Sequence, residues 1–128
     1  MARTDPAKKI LIVDDEAGFA ELFRSLLEMD GYVSKVAHDG IEALEVLKEF
    51  LPDAIVCDVV MPKMNGLEFF KEVRSSKQGE SIPFLFLSGY RDDEMLSMAR
   101  KLGVFTVLKK PVDFDHILSR LRTLLKNT

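Results

Sequence analysis

The chain has 128 residues, which is the length of one domain. Its formal net charge of −3 has the wrong sign for a protein that coats nucleic acid or anionic lipid. With 47% hydrophobic and 30% charged residues, its composition is typical of a globular protein rather than a disordered one. The only cysteine, Cys57, excludes an internal disulfide and a thiolate zinc cluster, so we expect a reducing, cytoplasmic compartment. No apolar run approaches the ~20 residues of a membrane span.

The first part of the chain alternates apolar runs of strand length with a helical pattern. Residues 10–13 are an uninterrupted apolar run that ends at two aspartates, Asp14 and Asp15. Apolar residues at helical spacing follow and predict one buried helix face formed by Phe19, Leu22, Phe23, Leu26 and Leu27. Residues 32–37 are a more polar strand candidate, which favours an edge position in the sheet.

The middle of the chain repeats this alternation and adds signals for helix starts. Asp39 is followed three residues later by Glu42, which predicts a capping box at the start of the second helix. Residues 54–57 form an apolar run that ends at Asp58. Asn65, again with a glutamate three residues later, predicts a cap on the third helix.

The last third of the chain contains two more strand candidates and two more helices. Residues 84–87 are an apolar run that ends at Ser88, and residues 104–108 are another that leads to Lys110. Between them, helical spacing predicts a buried face formed by Met95, Met98, Ala99 and Leu102, and we interpret both methionines as core residues. Asp113 is predicted to cap the final helix.

Five strands and five helices in strict alternation predict an α/β fold. Consecutive strands are then parallel and joined by right-handed crossovers, with helices on both faces of one sheet. The uninterrupted apolar strands support this interpretation, because the strands of a parallel sheet are buried on both faces.

Polar residues stand where four of the predicted strands end, and ligands of open parallel sheets bind at that edge. If these strands are neighbours, the carboxylates of Asp14, Asp15 and Asp58 meet the hydroxyl of Ser88 and the ammonium of Lys110. Clustered carboxylates repel unless a cation joins them, and Mg²⁺ prefers oxygen ligands. The set predicts a phosphoryl site in which an aspartate is the nucleophile. Each residue alone is also common in turns and caps, so the prediction depends on the combination.

The ordered motifs resemble the receiver domains of two-component response regulators over residues 8–126. The markers are Asp14-Asp15, Asp58, Met61-Pro62, Asn65-Gly66, Ser88-Gly89 and Gly103 ahead of Lys110-Pro111. The resemblance implies a flavodoxin-like fold with strand order 2-1-3-4-5. It also implies one receiver domain occupying residues 1–128, which either acts alone through a partner or is the receiver part of a larger regulator.

The resemblance assigns roles to the polar residues at the strand ends. Asp58 matches the residue that accepts a phosphoryl group from the phosphohistidine of a sensor histidine kinase or a histidine phosphotransfer protein. Ser88 and Lys110 match the hydroxyl and the lysine that contact this phosphoryl group. The implied Mg²⁺ ligands are Asp14 (usually through water), Asp15, Asp58 and the backbone carbonyl of Val60.

The resemblance also carries expectations for the last strand. It implies a cis Lys110–Pro111 bond. Three positions before Lys110 the family usually has an aromatic residue that moves inward with the hydroxyl, whereas this chain has Val107, and Phe105 is the candidate substitute. In the family, the face of the fourth helix, fifth strand and fifth helix carries output or dimer contacts. We expect an effector protein or output domain to bind there, at about residues 91–125.

Two other functions use similar sheets and have to be weighed. A phosphatase with an aspartyl-phosphate intermediate usually has a second carboxylate two residues after the nucleophile, where this chain has Val60. A flavin-binding electron carrier would place its phosphate against acidic strand ends, and no aromatic pair flanks the loops. The sequence therefore favours a signalling switch over a turnover enzyme.

Overall fold

A five-stranded parallel sheet forms the centre of the computed structural model, which describes residues 7–89, 93–103 and 106–126. The strands are β1 (Lys9–Val13), β2 (Val33–Ala37), β3 (Ala54–Asp58), β4 (Phe84–Ser88) and β5 (Val107–Lys109). The helices are α1 (Ala17–Met29), α2 (Gly40–Leu47), α3 (Gly66–Arg74), α4 (Asp93–Lys101) and α5 (Phe114–Lys126). The strand order β2-β1-β3-β4-β5 and the parallel pairing confirm the predicted fold.

Apolar cores lie on both faces of the sheet because neighbouring residues of a strand point to opposite sides. In β1, Leu11 and Val13 belong to the core that α2, α3 and α4 complete. Ile10 and Ile12 belong to the other core, which α1 and α5 complete. The central strands are thus covered on both sides, which explains their uninterrupted apolar sequences.

Two helices bury narrower faces than their apolar patterns predict. The side chains of Leu22 in α1, Met98 in α4 and Leu102 after α4 are 53%, 49% and 40% exposed, so their prediction as core residues was wrong. In α4 the buried residues are Leu96 and Ala99. In α1 they are Ala20, Phe23 and Leu27. Each helix thus packs on the sheet through a narrow stripe, and apolar residues at the flank of that stripe face solvent.

Side-chain caps fix the starts of α2 and α3. At α3 the predicted capping box is complete: Asn65 Oδ1 accepts the Glu68 N–H at 2.9 Å, and Glu68 Oε1 accepts the Asn65 N–H at 3.0 Å. At α2 Asp39 Oδ1 accepts the Glu42 N–H at 2.8 Å. The Glu42 carboxylate, however, lies 3.3 Å from His38 Nδ1, so the reciprocal half predicted for this box is replaced by a side-chain contact.

Replacing Asn65 with alanine is expected to lower the free energy of unfolding by about 1 kcal/mol, because the N–H groups at the start of α3 lose their cap. Urea denaturation at equilibrium measures the difference. Lys77→Ala, an exposed position beyond α3, is the control and should stay within about 0.5 kcal/mol of wild type. An Asn65→Ala protein as stable as this control would show that the capping box contributes nothing.

The apolar run at residues 104–108 predicts the last strand, and the structure describes three of these residues. Strand β5 comprises Val107–Lys109, and Thr106 lies outside it. Phe105, the candidate aromatic substitute, lies outside the described residues. Asp113 Oδ1 accepts the His116 N–H at 2.8 Å, which confirms the predicted cap on α5. None of the helices among the described residues has the length and hydropathy that a membrane span requires.

Candidate functional site

The carboxyl ends of four strands bring the predicted polar residues to one edge of the sheet. Asp58 and Ser88 are the last residues of β3 and β4, whereas Asp14 and Lys110 directly follow β1 and β5. Lys110 Nζ lies 3.1 Å from Asp58 Oδ2 and 3.7 Å from Asp14 Oδ2. One carboxylate oxygen each from Asp14, Asp15 and Asp58 lies within 4.8 Å of the others. The parallel topology therefore produces the cluster that the strand ends predicted.

The side chain of Asp14 is almost completely buried, and only one of its two carboxylate oxygens accepts a hydrogen bond. Its Oδ1 accepts the Glu16 N–H at 2.9 Å, but its Oδ2 has no hydrogen-bond donor among the described residues. Burial raises the pKa of Asp14, and the Glu16 N–H and Lys110 offset that effect only in part. A buried carboxylate oxygen without a donor is a ligand atom available to a cation.

Asp58 carries the largest electrostatic strain of the cluster. Burial first, and the neighbouring Asp14 second, raise the pKa of Asp58 to about 6, although Lys110 acts in the opposite direction. Only 6% of Asp58 is exposed, so water does little to screen this repulsion. Lys110 alone therefore does not offset the cost of a negative charge on Asp58.

Lys110 is held among several groups, one of which the sequence analysis missed. Besides the two aspartates, Glu16 Oε1 lies 3.5 Å from Lys110 Nζ, and the ring centroid of Phe19 lies 5.8 Å from it. Burial works against the charge of Lys110, but Asp58 and Asp14 outweigh it and raise its pKa. The Lys110–Pro111 bond is cis, as predicted. Glu16 follows the two aspartates directly, and that adjacency was the only signal for it.

Ser88 has a buried hydroxyl with no hydrogen-bond partner in the described part of the chain. Its backbone carbonyl accepts the Lys110 N–H at 2.8 Å, which fixes the end of β4 against the residue after β5. An unsatisfied buried hydroxyl costs about 1–3 kcal/mol. Such a group is available to a ligand that brings an acceptor oxygen.

The loop between β3 and α3 packs tightly against the end of β3 because it leads into Gly66. The Gly66 N–H donates to the Val59 carbonyl at 2.7 Å. A Cβ at position 66 would overlap the carbonyl oxygen of Asp58 and lie 3.0 Å from Val59 Cα. In the same loop the side chain of Val60 is exposed, and the assignment of its carbonyl as a metal ligand stays a prediction.

The donor set fits Mg²⁺. Asp14, Asp15 and Asp58 offer oxygen ligands only, and they lie close enough together to share one ion. Asp14 Oδ2 accepts no hydrogen bond, with Lys110 Nζ 3.7 Å away, and burial and the neighbouring Asp14 raise the pKa of Asp58. A divalent cation would bind the Asp14 oxygen and stabilise the negative charge of Asp58.

Three residues on β3 and β5 lie close to the site residues in sequence but contact other groups. Cys57 is fully buried in the core shared by α2, α3 and α4, and burial raises the pKa of its thiol well above the ordinary value. Lys109 is exposed, and its Nζ lies 3.2 Å from Asp93 Oδ1. The residue at the usual aromatic position, Val107, is half-buried and packs against the same core as Cys57.

Comparisons with known proteins agree with this geometry. Residues 10–122 match the family described as response regulator receiver domain. Response regulator MprA of Mycobacterium ulcerans is 38% identical over 120 residues, which are 94% of this chain and 51% of that protein. MprA of Mycobacterium tuberculosis is 36% identical over the same length. The chain spans about half the length of these curated relatives.

Solved structures of receiver domains and response regulators have the same fold as this chain. The signal receiver domain of a histidine kinase from Syntrophus aciditrophicus has a TM-score of 0.87 at 29% identity and covers 95% of this chain and 92% of that one. The chemotaxis response regulator CheY4 of Vibrio cholerae has a TM-score of 0.85 at 32% identity, with 93% and 99% covered. By fold, by site geometry and by similarity, the chain belongs to the receiver domain family of two-component response regulators.

Proposed function

We propose that this receiver domain is a phosphorylation-controlled switch in which Asp58 accepts a phosphoryl group from a phosphohistidine. The donor is a sensor histidine kinase or a histidine phosphotransfer protein. The observation that carries the proposal is the 3.1 Å contact between Asp58 Oδ2 and Lys110 Nζ, at a sheet edge that also holds Asp14 and Asp15. A nucleophilic carboxylate, a fixed cation and an oxygen-rich cation site are what phosphoryl transfer to an aspartate requires.

The chemistry follows from the positions of these groups. A carboxylate oxygen of Asp58 attacks phosphorus, the P–N bond to the donor imidazole breaks, and the imidazole nitrogen leaves with the electron pair. The Lys110 ammonium offsets the charge on the phosphoryl oxygens, and the Ser88 hydroxyl donates to one of them. Mg²⁺ held by Asp14, Asp15, Asp58 and the Val60 carbonyl would supply further neutralisation of these oxygens.

The proposed output is a change in partner binding rather than turnover of a substrate. Val60 occupies the position where a phosphatase would carry its acid, so this position supplies no proton to a leaving alcohol. We propose that residues 8–126 act as one cytoplasmic receiver. An effector protein, an output domain or a second copy then binds the α4, β5 and α5 face. Such a partner must distinguish the two phosphorylation states, because equal affinity transmits no signal.

Intact-mass spectrometry after incubation with acetyl phosphate and Mg²⁺ tests the proposal. The wild type is expected to gain one phosphoryl group, and chelation of Mg²⁺ with EDTA should prevent the gain. Asp58→Asn should gain none. Asp115→Asn, at an exposed carboxylate on α5, is the matched control and should label like wild type. Labelling of Asp58→Asn, or none of the wild type, would contradict the assignment.

A further inference from the structure

Arg74, in the last turn of α3, is a half-buried cation that has no acidic partner in the described part of the chain. Its guanidinium carbon lies 4.7 Å from the ring centroid of Phe70 and 5.3 Å from that of Phe84. Its Nη1 donates to the Gly79 carbonyl at 2.8 Å. Burial lowers the pKa of Arg74, and no acid among residues 7–89, 93–103 and 106–126 opposes that effect.

The contrast with another arginine shows what Arg74 lacks. Arg24, which is also half-buried, has Glu21 at 2.9 Å and Glu28 at 2.8 Å. An arginine stays protonated at neutral pH, so Arg74 carries its charge into a partly apolar environment with one carbonyl as its hydrogen-bond acceptor in the described structure. Removing a charge from water without an opposite charge costs free energy, which an incoming anion would recover.

Arg74 lines a cavity of about 190 Å³. Its other walls include Phe70, Pro83, Phe84, Thr106 and Leu124. The cavity lies at the start of β4, whereas the phosphoryl site lies at the end of that strand, so Phe84 and Ser88 are roughly 13 Å apart. It is therefore separate from the Asp58 site.

We propose that this cavity binds a small carboxylate that carries an apolar body about the size of a benzene ring. A guanidinium presents parallel N–H groups that match the two oxygens of a carboxylate. The aromatic walls and Leu124 would cover the apolar body, and a cavity of about 150 Å³ is known to hold benzene. Inorganic phosphate would satisfy Arg74 but leave the apolar walls uncovered, so a free organic acid fits better.

Benzoate is the probe, and its binding is followed by backbone amide chemical shifts of ¹⁵N-labelled protein. We expect saturable shifts at Phe84, Thr106 and Leu124. Benzamide has the same shape without the charge and should bind about tenfold more weakly or worse, because charge-assisted hydrogen bonds are lost. Absence of saturable shifts, or equal binding of benzoate and benzamide, would overturn the proposal.

Variants locate the site. Arg74→Gln retains an amide that can donate to the Gly79 carbonyl, and it should lose about tenfold or more in benzoate affinity. Arg100→Gln, an equal loss of charge at an exposed position of α4, should bind like wild type, as should Asp58→Asn. If Arg74→Gln does not fold, Leu124→Phe decides, because it narrows the cavity and leaves Arg74 in place. Wild-type affinity in the decisive variant would overturn the proposal.

Discussion

Replacing Gly66 with alanine is expected to destabilise the protein by about 3 kcal/mol, although alanine is the better helix former. Gly66 is the first residue of α3, where helix propensity alone favours alanine by about 1 kcal/mol at most. The new methyl group, however, would overlap the Asp58 carbonyl oxygen, which belongs to the last residue of a central strand. The backbone on both sides is hydrogen-bonded and cannot move away cheaply, so the steric effect outweighs the propensity.

Gly18→Ala is the matched control for this substitution. Gly18 also lies in a helix, α1, but a Cβ there meets no atom within 4 Å. Alanine should therefore raise the free energy of unfolding by roughly 0.5–1 kcal/mol at this position. Urea denaturation of both variants shows whether alanine lowers the free energy of unfolding at position 66 and raises it at position 18. If Gly66→Ala were as stable as Gly18→Ala, the result would contradict the close packing of the β3–α3 loop on β3.

Gly66→Ala should slow phosphorylation without abolishing it. This distinguishes Gly66, which positions the loop, from Asp58, which takes part in the reaction. The loop that Gly66 anchors begins directly after Asp58 and contains Val60. Displacing that loop changes the surroundings of the carboxylate without removing it. We expect slower labelling of Gly66→Ala in the mass assay, in contrast to the complete loss expected for Asp58→Asn.

The fold and the location of the site were predictable because both depend on strand ends. A parallel sheet buries both faces of β3 and β4, so their sequences are uninterrupted apolar runs, and the first polar residue marks the carboxyl end. Asp58 and Ser88 follow from that rule alone. Leu22 and Met98 were misplaced because an apolar pattern shows which residues can be buried, not how much cover their neighbours provide.

Other parts of the site could not be predicted because they depend on distances between separate segments. Glu16 is an ordinary loop glutamate in the sequence, and it joins the site only because Lys110 folds over to within 3.5 Å of it. Arg74 likewise has no sequence signal. Its environment arises where the end of α3, the start of β4 and α5 meet, and only the structure shows that no acid of the described residues offsets its charge there.

Asp58→Asn is expected to stabilise the metal-free protein at pH 7.5 by up to about 3 kcal/mol, even though it abolishes phosphorylation. The pKa of Asp58 is about 6 in the folded state, whereas the ordinary aspartate value of 3.8 applies to the unfolded chain, and each pH unit of that difference is worth about 1.4 kcal/mol. Because the folded state binds this proton more tightly than the unfolded state, stability falls as the pH rises from about 4 to about 6. Above that window the full penalty is present, and asparagine removes it.

The pH dependence and Mg²⁺ distinguish this effect from a general improvement in packing. At pH 4 the carboxyl of Asp58 is protonated in the folded state and only partly ionised in the unfolded chain. The free energies of unfolding of wild type and Asp58→Asn in EDTA should therefore differ by no more than about 0.5 kcal/mol. At pH 7.5, Mg²⁺ should stabilise the wild type by mass action and narrow the difference, because the cation offsets the charge that asparagine removes. Asp115→Asn, which is exposed, should change stability by less than about 0.5 kcal/mol at either pH. A stabilisation by Asp58→Asn that persisted unchanged at pH 4 would mean that the buried negative charge of Asp58 is not its cause.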